Sequence, residues 1–276
     1  MNVSEFINLH KFEDVRQLAF LAAKFPDIDM PWALDQIRGW QIARSKLPSW
    51  AEIEGMVYPP HISMEQCSSE FTAMYKASLC ERLQKECGDR MSLLIDLTGG
   101  FGVDFSFMCR NFKKAVYVER QQHLCDIAKH NLDLLGMHHA DVKCGDGVDY
   151  LHSMKAENAV IYVDPARRDV NGAKTYAIED CTPDVVELCD ELVEKASVVI
   201  IKLSPMLDWH AAVEKLKYVT EVHVVSVDNE CKELLLIMRK DAQHPIKLFC
   251  VNNEDVFITT QDQSNVAVLP ISIDEE

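Results

Sequence analysis

The sequence predicts an α/β fold, in which a helical N-terminal region precedes a seven-stranded sheet that ends in an antiparallel hairpin. Residues 1 to about 88 carry apolar positions three or four apart, which is the spacing of amphipathic helices. From residue 91 onward, short apolar runs alternate with amphipathic segments. That alternation is typical of a parallel sheet covered by helices on both faces.

Three helices are predicted in the N-terminal region, at FEDVRQLAFLAAKF, PWALDQIRGWQIARSKL and SSEFTAMYKASLCERLQKE. Pro31 suits the first turn of the second helix, where its missing N–H costs nothing. Ser68 or Ser69 can cap the third helix. Pro48 and the pair at 59–60 interrupt the helical pattern between them.

Seven apolar runs are predicted to form strands: MSLLID, KAVYVE, ADVKC, NAVIYVD, SVVIIKL, EVHVVSV and KELLLIM. The helices between the first six strands are expected to begin near Val103, Gln121, Gly147, Pro183 and Asp208. The last two strands are joined only by Asp228 to Cys231, too short a link for a crossover helix. They are therefore expected to be antiparallel neighbours.

We expect three segments along the chain: a helical region at 1–88, an α/β domain at 89–240 and a short β-containing extension at 241–276. The extension holds two further strand-like runs, IKLFCVN and EDVFITT, in too few residues for an independent core. It either adds to the main sheet or begins a further domain.

Composition favours a cytoplasmic protein with no membrane partner. Apolar residues make up 48% and charged residues 26% of the chain, and no apolar run approaches the ~18 residues of a membrane span. The N-terminus lacks the pattern of a secretory signal. The ten cysteines form no CxxC pair, which predicts reduced thiols and no metal site.

The stretch LLIDLTGGFGVD, at 93–104, places three glycines between Asp96 and Asp104. Gly99, Gly100 and Gly102 allow either a crowded strand-to-helix turn or the close approach of a ligand. Two carboxylates would repel a diphosphate, but they suit a ligand with an ammonium group and hydroxyls, such as S-adenosylmethionine.

Two further acids follow strands in the same way. Glu119 ends the second strand, where a carboxylate either accepts hydrogen bonds from ribose hydroxyls or is solvated. Asp146 follows the third strand, where it either accepts a hydrogen bond from the adenine amine or only caps a helix. Phe101 and Val148 are candidate contacts of the adenine ring.

DLTGGFGVD, AVYVE, GDGVDYL and IYVDPARR, followed by the hairpin at 220–239, resemble the successive motifs of class I S-adenosylmethionine-dependent methyltransferases. The first motif is similar to the Asp-x-Thr-x-Gly-x-Gly-x-Asp order of bacterial ribosomal RNA guanine-N2 methyltransferases. The whole chain also resembles uncharacterised Bacteroidetes-type methyltransferases that have a helical N-terminal region. The resemblance to class I methyltransferases covers about residues 91–240 and implies a Rossmann-like sheet.

The resemblance implies that the glycine stretch surrounds the methionine part of S-adenosyl-L-methionine, Glu119 holds the ribose and Asp146 holds the adenine. The predicted cofactor-binding residues are Asp96, Thr98, Gly99, Gly100, Phe101, Gly102, Asp104, Glu119, Asp146 and Asp164.

Asp164 and Pro165 are the predicted catalytic residues, because DPARR resembles the Asp/Asn-Pro-Pro-aromatic signature of amine methyltransferases. In that signature the carboxylate and a proline carbonyl accept hydrogen bonds from the target NH2 group. Arg167 stands at the aromatic position here. The predicted substrate-binding residues are Arg167, Arg168, Tyr176, Lys202 and Ser204, although both arginines are also compatible with a solvated or salt-bridged loop.

DPAR is also similar to the DPPR of RNA uracil-C5 methyltransferases, whose chemistry needs a cysteine nucleophile. Ser204 stands at that place, which excludes the carbon-methylating route.

Residues 58–77 are compatible with a segment that folds over the cofactor, in which Gln66, Ser69 or Glu70 reaches the pocket. They are also compatible with an ordinary connection between domains.

The leading hypothesis is methylation of a nucleobase amine in ribosomal or transfer RNA. The net charge of −16 opposes a polyanion, but basic residues near the expected active edge favour one: Arg110, Lys113, Lys114, Arg167, Arg168, Lys174 and Lys202. The alternatives are a small-molecule or protein methyltransferase and a non-catalytic S-adenosylmethionine-binding module. The sequence does not indicate an oligomeric state.

Overall fold

The computed structural model describes residues 1–88, 91–155, 158–167, 178–241 and 245–260. The chain packs as two compact units, Met1–Val163 with Lys195–Ser197, and Asp164–Glu194 with Val198–Glu276. This division differs from the three segments expected from the sequence, which remain a prediction about domain organisation.

The N-terminal region is helical, as predicted. Its six α-helices are α1 (Val3–His10), α2 (Val15–Ala19), α3 (Met30–Lys46), α4 (Pro48–Ala51), α5 (His61–Gln66) and α6 (Glu70–Glu86). Pro31 lies in the first turn of α3. Ser69 caps α6 and accepts a hydrogen bond from the Thr72 amide at 3.3 Å. The sequence did not indicate α1, α4 or α5, since helices of four to eight residues are too short to establish a period. The first predicted helix, at 12–25, forms only α2 and a 3₁₀ turn at Ala22–Lys24.

The first unit contains four parallel strands in the order β4-β1-β2-β3. They are β1 (Leu93–Asp96), β2 (Lys114–Glu119), β3 (Ala140–Cys144) and β4 (Ala159–Val163). The helices between them are α7 (Val103–Met108), α8 (Gln122–Leu134) and α9 (Gly147–Ser153). Because neighbouring strands are in parallel register, the residues that follow them gather at one edge of the sheet.

The second unit begins with a small antiparallel pair, β5 (Ala166–Arg167) and β6 (Cys181–Thr182). Its larger sheet has the order β11-β10-β8-β9-β7. The strands are β7 (Val198–Leu203), β8 (Val219–Val227), β9 (Glu230–Met238), β10 (Lys247–Asn252) and β11 (Asp255–Thr260). Two helices accompany them, α10 (Cys189–Lys195) and α11 (Trp209–Lys215).

The predicted hairpin is confirmed, since β8 and β9 pair antiparallel. Asp228 and Asn229 join them with φ of 51° and 63°. Two consecutive left-handed residues are typical of the tight turn whose twist matches that of the flanking strands.

Two details of the sequence prediction are wrong. The larger sheets of the two units hold nine strands and not seven, because β10 pairs in parallel with β8 and antiparallel with β11. The extension therefore adds to a sheet. The helix expected near Pro183 begins at Cys189, since the Asp184 carboxylate first accepts from the Val186 amide at 3.0 Å and closes a turn.

Candidate functional site

The glycine loop, residues 97–102, begins where β1 ends at the buried Asp96. One carboxylate oxygen of Asp96 accepts a hydrogen bond from the Thr98 amide at 2.9 Å. The Gly99 amide then donates to the Val118 carbonyl oxygen at 2.8 Å. The loop thus leaves its own strand and is bound to the end of the neighbouring strand β2.

Tyr117 explains why the loop needs glycine. A Cβ atom on Gly99 would lie 2.2 Å from the Tyr117 ring, well inside van der Waals contact. Gly100 and Gly102 adopt φ of 55° and 84°, which other residues rarely adopt. The Tyr117 hydroxyl donates to the Gly100 carbonyl oxygen. Burial, and then the nearby Glu119 and Asp96 carboxylates, raise the pKa of Tyr117, so this phenol remains a donor at neutral pH.

Backbone amides hold both oxygens of the Glu119 carboxylate. Oε2 accepts from the Gly100 amide at 3.0 Å, and Oε1 accepts from the Gln121 amide at 2.9 Å. The end of β2 and the glycine loop are therefore joined through this side chain. A carboxylate with two lone pairs on each oxygen can accept further hydrogen bonds in this position.

Asp146 caps α9, since its Oδ1 accepts from the Val148 amide at 2.7 Å. Its Oδ2 lies 3.7 Å from an Arg120 guanidinium nitrogen at the surface. A Cβ atom on Gly147 would lie 2.1 Å from the Leu97 carbonyl oxygen. This close approach places the start of α9 directly against the glycine loop.

The Phe101 ring lies in the protein core. It is buried, with its centroid 5.1 Å from that of Trp50 in an edge-on arrangement and 6.5 Å from that of Tyr58. Burial raises the pKa of Tyr58 to about 12. Because protein contacts surround the ring, only the Phe101 backbone is left for the predicted cofactor contact.

Asp104, in the first turn of α7, belongs to a buried polar cluster that the sequence analysis missed. Lys76 Nζ lies 3.1 Å from its Oδ1. The hydroxyls of Ser68 and Tyr162 donate to its Oδ2 at 2.7 and 2.8 Å. Lys76 also donates to Ser68 Oγ at 3.3 Å. We call these four residues the Asp104 cluster.

One signal in the sequence could have indicated Lys76. On α6, Ala73 and Cys80 are buried at positions three before and four after it, so the lysine stands within the buried stripe of an amphipathic helix. A charged residue in such a stripe needs a charged or polar partner. The periodicity indicates a partner without saying which residue it is.

Within residues 58–77, the residues expected to reach the pocket have other contacts. Ser69 caps α6, and Glu70 accepts a hydrogen bond from the Ser49 amide at 2.9 Å. Gln66 is exposed at the end of α5. The link from this segment to the end of the glycine loop is instead made by Ser68 and Lys76.

In the second unit, two predicted residues form an ion pair. Lys202 Nζ lies 2.7 Å from Asp164 Oδ2. Pro165 is buried beside Asp164 in the sequence. Ser204 Oγ accepts a hydrogen bond from the Met206 amide at 3.3 Å, which stabilises the turn after β7.

The remaining predicted substrate residues are only partly described. The Arg167 backbone lies in β5, opposite Cys181 of β6. Arg168, Lys174 and Tyr176 lie outside the described residues, so their roles remain predictions.

Three basic residues stand at the wrong edge for the role expected of them. Lys114 begins β2, whereas Glu119 ends it, and Lys113 directly precedes the strand. Arg110 follows α7 and packs over the Phe107 ring at 4.6 Å. Since α7 returns from the glycine loop to the amino end of β2, these exposed cations lie at the edge opposite the loop.

A different surface combines an exposed ring, Phe12, and a partly buried ring, Trp40, with two cations. We call it the aromatic–basic patch: Lys11, Phe12, Trp40 and Arg44. The Phe12 and Trp40 rings meet edge-on, with centroids 5.0 Å apart. Lys11 Nζ lies 4.7 Å and the Arg44 guanidinium carbon 5.4 Å from the Trp40 centroid. Phe12 nevertheless remains 70% exposed.

Metal-binding groups and membrane-spanning helices are both absent from the described residues. No group of three or more His, Cys, Asp or Glu in this part of the chain could hold a metal ion. No helix there combines the length and apolar character needed to span a membrane.

Comparison with solved structures identifies the fold. A proposed methyltransferase of Porphyromonas gingivalis W83 matches 99% of this chain and 67% of its own, with a TM-score of 0.78 and 29% identity. A proposed RNA methyltransferase of Pyrococcus horikoshii matches 71% of this chain and 97% of its own, with a TM-score of 0.48 and 16% identity. An rRNA methylase of Streptococcus thermophilus matches 59% and 95%, with a TM-score of 0.43 and 15% identity.

No known family profile and no curated protein matches the sequence. The first of these structures matches nearly the whole chain. The chain therefore has the fold of the class I S-adenosylmethionine-dependent methyltransferases.

Proposed function

We propose that the protein transfers a methyl group from S-adenosyl-L-methionine to an amine nitrogen of a nucleobase in RNA, with ribosomal or transfer RNA as the acceptor and the cytoplasm as its location. One observation carries the methyl-transfer part of this proposal. The Glu119 carboxylate is fixed at the end of β2 by the Gly100 amide of the glycine loop, at 3.0 Å. A carboxylate at the end of a strand and beside a glycine loop is well placed to accept hydrogen bonds from the ribose hydroxyls of an adenosine.

The described residues suit the cofactor in charge. In this proposal the ribose hydroxyls donate to Glu119, the adenine amine donates to Asp146, and the amino-acid end lies by Asp96, Thr98 and Asp104. Gly99, Gly100 and Gly102 have no side chains to block a close approach. When bound, the cofactor supplies a methyl group on a positively charged sulfur, which an amine can attack directly.

Asp164 and Pro165 orient the acceptor in this proposal. The Asp164 carboxylate and the Pro165 carbonyl accept hydrogen bonds from the target NH2 group and so aim its lone pair at the methyl group. Lys202, 2.7 Å from Asp164 Oδ2, fixes the orientation of that carboxylate. Positioning of this kind supplies much of the acceleration in a direct transfer.

The aromatic–basic patch supports RNA as the acceptor. A net charge of −16 makes the protein as a whole repel a polyanion, so RNA binding requires a local surface that offsets it. Exposed rings flanked by cations stack on unpaired bases and contact the adjoining phosphates. Phe12 and Arg44 are exposed and can make such contacts.

A small-molecule or protein acceptor is the second candidate, and the acidity of the chain favours it. A non-catalytic cofactor-binding module is the third.

The deciding experiment incubates the protein and radiolabelled S-adenosylmethionine separately with total RNA, proteins and small molecules. We expect the label to appear in RNA. Label in the protein or small-molecule fraction would show that the acceptor belongs to that class and not to RNA. Cofactor binding without any label would support the non-catalytic module.

A further inference from the structure

We propose that Lys76 is a positioning residue for the amino-acid end of the cofactor and acts on it through Asp104. The inference rests on the proposed function, because it takes S-adenosylmethionine as the ligand of the glycine loop. It assigns part of the cofactor site to the N-terminal helical region, since Lys76 lies on α6.

Burial shows that Lys76 acts indirectly. Its side chain is 0% exposed, whereas that of Asp104 is 10% exposed. Lys76 Nζ is 3.1 Å from Asp104 Oδ1, which is itself buried, so the small exposure of this pair belongs to the rest of the Asp104 side chain. A ligand can therefore reach Asp104 but cannot reach Lys76 without a rearrangement.

The Asp104 cluster has features that packing alone does not require. Burying a lysine and an aspartate costs desolvation energy that their mutual attraction often fails to recover. Apolar side chains of similar volume would stabilise the same helix contact at least as well. The cluster is therefore poorly explained as a device for stability, and its position directly after the glycine loop indicates a role in binding.

The geometry indicates what that role is. Ser68 and Tyr162 donate hydrogen bonds to Asp104 Oδ2, and the Lys76 ammonium group lies 3.1 Å from Oδ1, so these three groups hold the carboxylate in one orientation. An ammonium group is the natural ligand for an ionised carboxylate that is partly open to solvent. The α-amino group is the ammonium group of S-adenosylmethionine, and it belongs to the amino-acid end. Loss of Lys76 should therefore weaken recognition of that end and leave recognition of the adenosine end unchanged.

Two ligands that differ in the amino-acid end test the inference. S-adenosylhomocysteine retains the amino acid, whereas 5′-methylthioadenosine lacks it. By calorimetry, we expect Lys76→Met to weaken S-adenosylhomocysteine binding on the order of tenfold or more. Binding of 5′-methylthioadenosine should stay within about twofold of the unchanged protein.

Lys46→Met is the matched control. Lys46 lies on α3 and donates to two backbone carbonyls, those of Met64 at 3.1 Å and Glu65 at 2.6 Å. It ties α3 to α5 without touching Asp104, so its loss perturbs the same helical region. We expect the ratio of the two ligand affinities to stay unchanged in this variant.

Each other outcome overturns the inference. Equal weakening of both ligands by Lys76→Met would show a purely structural role, and no weakening would show no role. If Lys76→Met does not fold, Tyr162→Phe removes one donor from Asp104 and should shift the affinity ratio in the same direction; an unchanged ratio would refute the idea. If the unchanged protein binds neither ligand, the proposed function itself fails along with the inference.

Discussion

Lys202 Nζ lies 2.7 Å from Asp164 Oδ2, although the two residues are 38 positions apart. Lys202 is only 13% exposed, and it stands near the end of β7, while Asp164 directly follows β4. The sequence predicted separate roles for them, catalysis for Asp164 and substrate binding for Lys202. Their pairing makes Lys202 the residue that fixes the proposed acceptor-binding carboxylate.

Replacement of Asp164 tests the reaction assignment directly. We expect Asp164→Ala to reduce single-turnover methyl transfer by ~10²- to 10³-fold at saturating cofactor, since one well-placed polar contact at a reacting centre is lost. Asp164→Asn keeps an acceptor oxygen and should retain partial activity. A rate close to that of the unchanged protein for Asp164→Ala would show that DPARR is only a structural turn.

Lys202→Met should release the Asp164 carboxylate from its fixed orientation. We expect turnover to fall by about tenfold, the rough value of one charge-assisted hydrogen bond, while cofactor affinity stays the same. Lys215→Met is the control, because Lys215 pairs with Glu179 in the same unit. If both variants lose activity equally, the effect of Lys202 is not specific to Asp164.

Glu119→Ala should weaken S-adenosylmethionine binding by about tenfold or more, because it removes a charged hydrogen-bond acceptor. Part of that loss will come from the glycine loop, because the Gly100 amide, which donates to Glu119 at 3.0 Å, loses its acceptor. Calorimetry on the folded variant measures the affinity, and circular dichroism checks the fold. If the variant binds S-adenosylmethionine as tightly as the unchanged protein, Glu119 does not make the proposed ribose contact.

Gly99→Ala should destabilise the protein and weaken cofactor binding together. The added methyl would lie 2.2 Å from the buried Tyr117 ring, and an overpacked site of this kind costs about 1–3 kcal/mol. Gly145→Ala is the matched control, because no atom lies within 4 Å of a Cβ placed there. Thermal melting compares the two variants, and similar melting temperatures would contradict the predicted contact.

Phe12→Ala should reduce RNA binding by roughly fivefold or more, since stacking of one base on an aromatic ring contributes about 1–3 kcal/mol. Phe20→Ala is the control, because Phe20 is 86% exposed but lies outside the aromatic–basic patch. Filter binding at constant salt concentration measures both variants. Equal losses would indicate a general effect of exposed rings, and no loss would remove the patch from the RNA-binding surface.

Local sequence patterns were sufficient for most of the elements. KAVYVE and ADVKC are the strands β2 and β3 with the predicted bounds. KAVYVE is rich in valine and tyrosine, and ADVKC alternates apolar with charged residues, and both features are typical of strands. The chain order of strand and acid also placed Asp96 and Glu119 on the same edge of the sheet. Periodicity failed for α4 and α5, which are shorter than two turns, and for α1, which has only eight residues.

The sequence by itself determined the α/β fold, the glycine loop and the strand-end carboxylates, because each depends on residues near one another in the chain. Tertiary structure alone decided which side chains meet: Lys76 with Asp104, Lys202 with Asp164, and the Phe101 ring with Trp50. It also decided that β10 joins the sheet beside β8. Backbone conformation is governed by local spacing, whereas the partner of a buried charge or ring is chosen by packing between distant segments, which leaves no period to read in the sequence.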